Sequence, residues 1–131
     1  MSELKVGDKI SRSKVFDKNM VLAYGKLTGD FNPVHFDESY ASKTIFGRPI
    51  VHGPLVLTFV TTLFANDLPG SGTVYLGHEV RYFKPVFYDD KITATLEVLE
   101  INNKNHIFIK TTCINQNQEI ILDGIARLKK Y

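Results

Sequence analysis

In the stretch Gly29–Asp37, GDFNPVHFD, a carboxylate and an imidazole stand five residues apart around an Asn-Pro pair. An acid and a histidine held near one point can take a proton from water and deliver it elsewhere, which is general acid-base chemistry. That chemistry requires the two groups to be fixed. Pro33 sets its own φ and drives Asn32 out of the helical region, while the Asn32 side chain can bond nearby backbone, so the turn is stiff. Asp30 and His35 are therefore candidates for a catalytic pair. An Asp at a helix end and a His in a loop also serve purely structural ends, and spacing alone leaves both readings open.

The elements around this turn follow from pattern. Asp17 precedes the apolar residues Val21, Leu22, Tyr24 and Leu27, and Gly29 follows, which predicts a capped first helix from Asp17 to Thr28. After the turn, DESYASKT has an acid-capped start and predicts a short helix of about two turns. Gly53-Pro54 opens a segment in which Leu57, Val60, Phe64 and Leu68 keep helical spacing up to NDLPG. That helix is apolar on nearly every side, so other structure must enclose it. TVYLGHEVRYF, DKITATLEVLEI, NHIFIKTTCIN and EIILDGIARLKK alternate with period two and are rich in β-branched and aromatic residues. They predict four long strands joined by short connections as antiparallel neighbours. The expected class is α+β, an antiparallel sheet curled around one apolar helix, with open edges that invite pairing with a second copy.

The totals narrow the function. A chain of 131 residues with 44% hydrophobic content suits one domain over residues 1–131. The net charge of +2 is spread along the chain, so no nucleic-acid footprint is expected. PLVLTFVTTLFA is too short to cross a bilayer and the first ten residues contain no apolar signal region, so no membrane association and a cytoplasmic location are expected. Cys113 has no partner for an internal disulfide and suits a small buried hydrophobe. His35, His52, His78 and His106 show no close ligand spacing, so no metal and no cofactor are expected. Gly70-x-Gly72 precedes a strand and lacks a third glycine, which argues against dinucleotide binding.

LTGDFNPVHFDESYA, GRPIVHGPL and LPGSGTVYLGHEVRYFKPVFYDD together resemble the MaoC-like, (R)-specific enoyl-CoA hydratase family of hot-dog-fold proteins. The Gly-Asp-x-Asn-Pro-x-His-x-Asp pattern is complete at Gly29, Asp30, Asn32, Pro33, His35 and Asp37. The resemblance implies a sheet wrapped around a long central helix and a homodimer or higher homo-oligomer. It implies an acyl thioester of coenzyme A, or of acyl carrier protein, as the partner in reaction. It assigns Asp30 and His35 as the catalytic pair, with His35 the preferred base, and the Gly53 N–H as donor to the enolate oxygen. A helix start leaves that amide unpaired and favours negative charge, while the absent side chain admits a bulky thioester. The expected substrate-binding positions are Asn32, Leu57, Thr61 and Phe64, the bulk of Phe64 favouring short acyl chains. His52 is expected to serve as a packing and hydrogen-bonding group beside the helix start rather than to touch substrate. One departure from the family pattern is Asp89, where glycine is frequent. Rival functions are a 3-hydroxyacyl-acyl-carrier-protein dehydratase, a non-catalytic acyl-thioester-binding subunit and, less favoured, a thioesterase.

Overall fold

The computed structural model describes residues 3–131. Its strands are β1 (Lys9–Phe16), β2 (Thr73–Tyr82), β3 (Asp90–Ile101), β4 (His106–Ile114) and β5 (Ile120–Lys130). The helices are α1 (Lys18–Thr28), a 3-10 turn (Pro33–His35), α2 (Glu38–Ala41) and α3 (Gly53–Asn66). The strands make one antiparallel sheet in the order β1-β3-β4-β5-β2. Alternation sets which face is buried: Ile92, Ala94, Leu96 and Val98 of β3 and Ile107, Ile109 and Cys113 of β4 face one core. Into that core α3 inserts Val56, Phe59, Val60, Leu63 and Phe64. Burial also pushes the Cys113 thiol up to about 12, leaving it an inert packing group. This is the α+β, hot-dog arrangement that the sequence resemblance implies.

Helix boundaries obey local chemistry. Asp17 caps α1 by accepting the Met20 N–H at 3.0 Å, and Gly29, at φ 82°, ends the helix with its own N–H on the Gly25 carbonyl at 2.8 Å. The second helix is shorter than the sequence suggested: α2 lasts 4 residues, capped by Asp37, because the chain turns into the loop that carries Gly47 at φ 75°.

Two features depart from the sequence expectation. The sheet has 5 strands, since KISRSKVF adds β1 at an edge. Its exposed polar residues hid the alternation, and cross-strand hydroxyl pairs bind it instead, Ser11 to Thr95 and Ser13 to Thr93, each at 2.8 Å. In addition, β2 and β3 are consecutive in sequence but not adjacent in space. Residues 83–89, when extended, reach ~23 Å, more than the ~14 Å needed to pass three strand spacings. The segment is tied down on the way by Phe83 N–H to the Ile121 carbonyl at 2.8 Å and Asp89 N–H to the Phe16 carbonyl at 2.7 Å. Asp89 sits there at φ 70°, a left-handed conformation in which glycine is the least strained residue. Among the described residues no helix is long and apolar enough to cross a membrane.

Candidate active site

Each polar residue of the Gly29–Asp37 turn has a structural task that leaves the next one aimed. Asp30 Oδ1 accepts the Asn32 N–H at 3.2 Å, and Asn32 Oδ1 accepts the Val34 N–H at 3.3 Å, opening the 3-10 turn. The loop lies so close to α1 that a Cβ on Gly25 would meet Phe36 Cζ at 2.8 Å and Phe31 Cε1 at 3.0 Å. His35 is then clamped: the Tyr88 hydroxyl donates to its carbonyl, and its Nδ1 lies 2.8 Å from the Ile50 carbonyl. A carbonyl only accepts, so Nδ1 carries the hydrogen and Nε2 of the neutral ring keeps its lone pair. A side-chain oxygen of Asp30 and ring nitrogens of His35 and His52 lie within 4.8 Å of one another. The two imidazoles are stacked, with centroids 3.8 Å apart and planes 29° apart.

His52 is wholly buried, with its Nε2 3.1 Å from the Asp30 carbonyl oxygen. Burial, opposed by that hydrogen bond, holds its pKa below the ordinary imidazole value, and the nearby His35 lowers it further. Gly53, the next residue, begins α3. The Leu55 and Val56 N–H groups both turn to the His52 carbonyl, and among the described residues no backbone carbonyl accepts the Gly53 N–H. The Tyr82 hydroxyl donates to the Gly53 carbonyl at 2.9 Å, and its ring covers the glycine so closely that a Cβ would meet Cε1 at 3.1 Å. Burial, aided by neighbouring Cys113, Tyr24 and Tyr75, pushes Tyr82 up to about 12, so it remains a donor. Beside Gly53 opens a cavity of about 330 Å³ with Ile50, Val51, Val56, Tyr82, Phe83 and Val86 in its wall.

A family model described as a MaoC like domain matches residues 3–119. The chain belongs to the MaoC-like domain family. The (R)-specific enoyl-CoA hydratase of Aeromonas caviae is 39% identical over 127 residues, covering 96% of this chain and 95% of that one. The mitochondrial 3-hydroxyacyl-(acyl-carrier-protein) dehydratase of Arabidopsis thaliana is 32% identical over 127 residues, covering 94% and 75%. A solved structure described as an (R)-hydratase from A. caviae involved in PHA biosynthesis superposes with a TM-score of 0.94 at 36% identity over 100% of both chains.

Within this MaoC-like chain the sequence-expected site residues fall into two groups. Asp30 and His35 meet, and His52 joins them to Gly53 by adjacency. Neither Asp30 nor His35 lines the cavity beside Gly53; the link to it runs through Ile50, which both holds His35 and forms part of the wall. Asn32, Leu57, Thr61 and Phe64 do not line that cavity either. Asn32 is exposed and caps the turn, and Leu57 and Thr61 are half-buried, with the Thr61 hydroxyl on its own helix at the Thr58 carbonyl, 3.1 Å away. Phe64 is buried against Tyr75 and His78 of β2, at centroid distances of 5.8 and 6.0 Å. Two contributors escaped sequence reasoning, Ile50 and Tyr82, whereas His52 packs and hydrogen-bonds beside the helix start as expected, its partner being the Asp30 carbonyl. The local signal for His52 was its place next to a Gly-Pro helix start; Ile50 and Tyr82 carried none.

Proposed function

We propose that this protein is an (R)-specific enoyl-CoA hydratase, adding water reversibly to a trans-2-enoyl thioester to give the (R)-3-hydroxyacyl product. What carries the reading is the approach of the Asp30 and His35 side chains to within 4.8 Å. Two hydrogen bonds of ~2.8 Å meeting at the tetrahedral angle of one water oxygen span ~4.6 Å, so a single water fits between carboxylate and imidazole. Asp30 orients that water and His35 takes its proton through Nε2. The hydroxyl bonds to C3, the π pair moves through C2 toward the thioester oxygen, and the Gly53 N–H at the positive end of α3 receives the growing charge. The proton held by the pair then goes to C2 from the same face, so the sum is one water added and nothing else. The names of the Aeromonas caviae relative and structure support this reaction and its stereochemistry.

The acyl chain is proposed to follow the Gly53, Leu57, Thr61 and Phe64 stripe of α3. This stripe runs antiparallel to β2, with Tyr82 at Gly53 and Tyr75 and His78 at Phe64. Leu57 lies ~6 Å beyond Gly53 along the axis, the length of a four-carbon acyl group, whereas Phe64 lies ~16 Å away. A short-chain preference therefore rests on Leu57 more than on Phe64, and Asn32 contributes by shaping the turn. β2 is an open sheet edge bearing the exposed side chains of Val74, Tyr75 and Leu76. A second copy docked there would roof the half-buried stripe, which supports a homodimer. The lone buried Cys113 asks nothing of an oxidising compartment, and a cytoplasmic location belongs to the same proposal.

The test is loss of enoyl absorbance when purified protein meets crotonyl-CoA; absence of turnover with every enoyl thioester would leave only a binding subunit. A second reading, dehydration of 3-hydroxyacyl groups on acyl carrier protein, is favoured by the name of the Arabidopsis thaliana relative. Matched CoA and carrier-protein thioesters of several chain lengths separate the two by their kcat/KM.

A further inference from the structure

His52 occupies the N-cap position of α3, where Ser, Thr, Asp or Asn would bind the free amides of the first turn, yet its side chain makes no cap bond. It turns instead toward Asp30, is 0% exposed, and leaves Nδ1 with no partner among the described residues. Because Nε2 meets a carbonyl oxygen, Nε2 carries the hydrogen and Nδ1 is a bare lone pair in a dry pocket. A residue kept only to fill space would be served better by an apolar ring, which strands no acceptor.

We propose that His52 is a positioning residue that locks Asp30 and His35 into one unit, its Nε2–H holding the Asp30 carbonyl and its ring face supporting the His35 imidazole. The inference rests on the hydratase reading of the pair but concerns a residue outside it. His52 reaches the two ends of the turn at once, at 3.1 Å to the Asp30 carbonyl and 3.8 Å between ring centroids to His35. The titratable groups facing it are Asp30 and His35 from the turn and Tyr24 from α1, whose ring centroid is 4.6 Å away; Phe36 packs on the remaining side. When His35 takes a proton, a neutral ring beside it accommodates the new charge, whereas a second imidazolium at stacking distance would oppose it. The dry surroundings of His52 keep that neighbour neutral.

The experiment compares His52→Phe, which keeps the ring face and deletes the donor, with His52→Gln, which restores a donor. Each is measured by kcat and KM for crotonyl-CoA and by the 13C resonance of the Asp30 carbonyl. The expected result for His52→Phe is a kcat loss of about 30-fold with KM within about threefold and a shifted carbonyl resonance, with His52→Gln recovering most of both. A His52→Phe kcat within about threefold of the parent, an unmoved carbonyl resonance, or equal losses in the two variants would overturn the proposal. Should His52→Phe fail to fold, imidazole 15N spectra of the unmodified protein decide: a neutral Nε2–H tautomer at the pH of the activity assay supports it, and an Nδ1–H tautomer or an imidazolium at that pH overturns it. If the parent protein turns over no enoyl thioester the hydratase reading falls, while the carbonyl resonance still reports whether His52 holds Asp30.

Discussion

Replacing Asp30 by Asn should remove the reaction while leaving the fold in place. Oδ1 of the carboxylate is engaged by the Asn32 N–H at 3.2 Å, so Oδ2 is the atom free to accept from water. In the variant the amide oxygen must keep facing Asn32, because turning the amide would set donor against donor. Nδ2 then stands where Oδ2 stood, and the water meets a donor in place of an acceptor and loses the negative charge that orients it. Loss of a positioned acid-base group costs ~10²–10⁴ in rate, or ~2.7–5.5 kcal/mol in activation free energy. The turn exchanges a charge-assisted bond for a neutral one at an exposed residue, a difference of about 1 kcal/mol, so Tm should fall by only a few degrees. The assay is the decay of crotonyl-CoA absorbance with kcat and KM resolved separately: kcat should fall by at least ~100-fold with KM within ~3-fold. A kcat within tenfold of the parent, or a loss confined to KM, would refute the reasoning.

Gly53→Ala retains the N–H but places a Cβ 3.1 Å from Tyr82 Cε1, so the ring must yield and carry its bond to the Gly53 carbonyl with it; kcat should drop ~10-fold or more with Tm little changed, since alanine is the better helix former. Gly124→Ala puts a Cβ 2.2 Å from the Glu79 carbonyl oxygen across the β2–β5 ladder. Backbone cannot swing aside as a side chain does, so a cost of about 3 kcal/mol and a Tm about 10 °C lower are expected in a thermal melt. Burial lowers the pKa of both His52 and His78 from the ordinary 6.5. Below that pH the unfolded chain binds protons that the folded chain refuses, so stability rises with pH there and is lost progressively as pH falls from 6.5 toward the lower folded values. Urea midpoints should decline on acidification through this window, and His78→Gln should flatten the decline; a midpoint that does not move would contradict the burial assignments.

What could be seen in the amino-acid sequence was local. The Asp17 and Gly29 caps, the stiff Asn32-Pro33 turn, the Gly53-Pro54 helix start and the alternation of β2 to β5 each depend on residues within a few positions of one another, and each is present in the structure. What stayed hidden depends on distant partners. β1 reveals itself only through hydroxyls that face Thr93 and Thr95, residues 80 and 84 positions away. The crossing of residues 83–89 follows from sheet order, to which a short connection gives no clue. Tyr82 reaches Gly53 across 29 positions and His52 reaches Asp30 across 22, so neither partner is written in the neighbouring residues. On α3 the periodicity showed which residues are apolar, but not that Val56 would face the cavity while Leu57 and Thr61 stay half-buried along another side.

The central claim is that Asp30 and His35 act on the same water, and a double-mutant cycle tests it most directly. Asp30→Asn, His35→Gln and the double variant are compared in kcat for crotonyl-CoA hydration. Groups that share one water form a unit, so the double variant should be no more than about threefold slower than the slower single variant. If the two losses instead multiply, the carboxylate and the imidazole serve separate steps, and the shared-water arrangement is wrong.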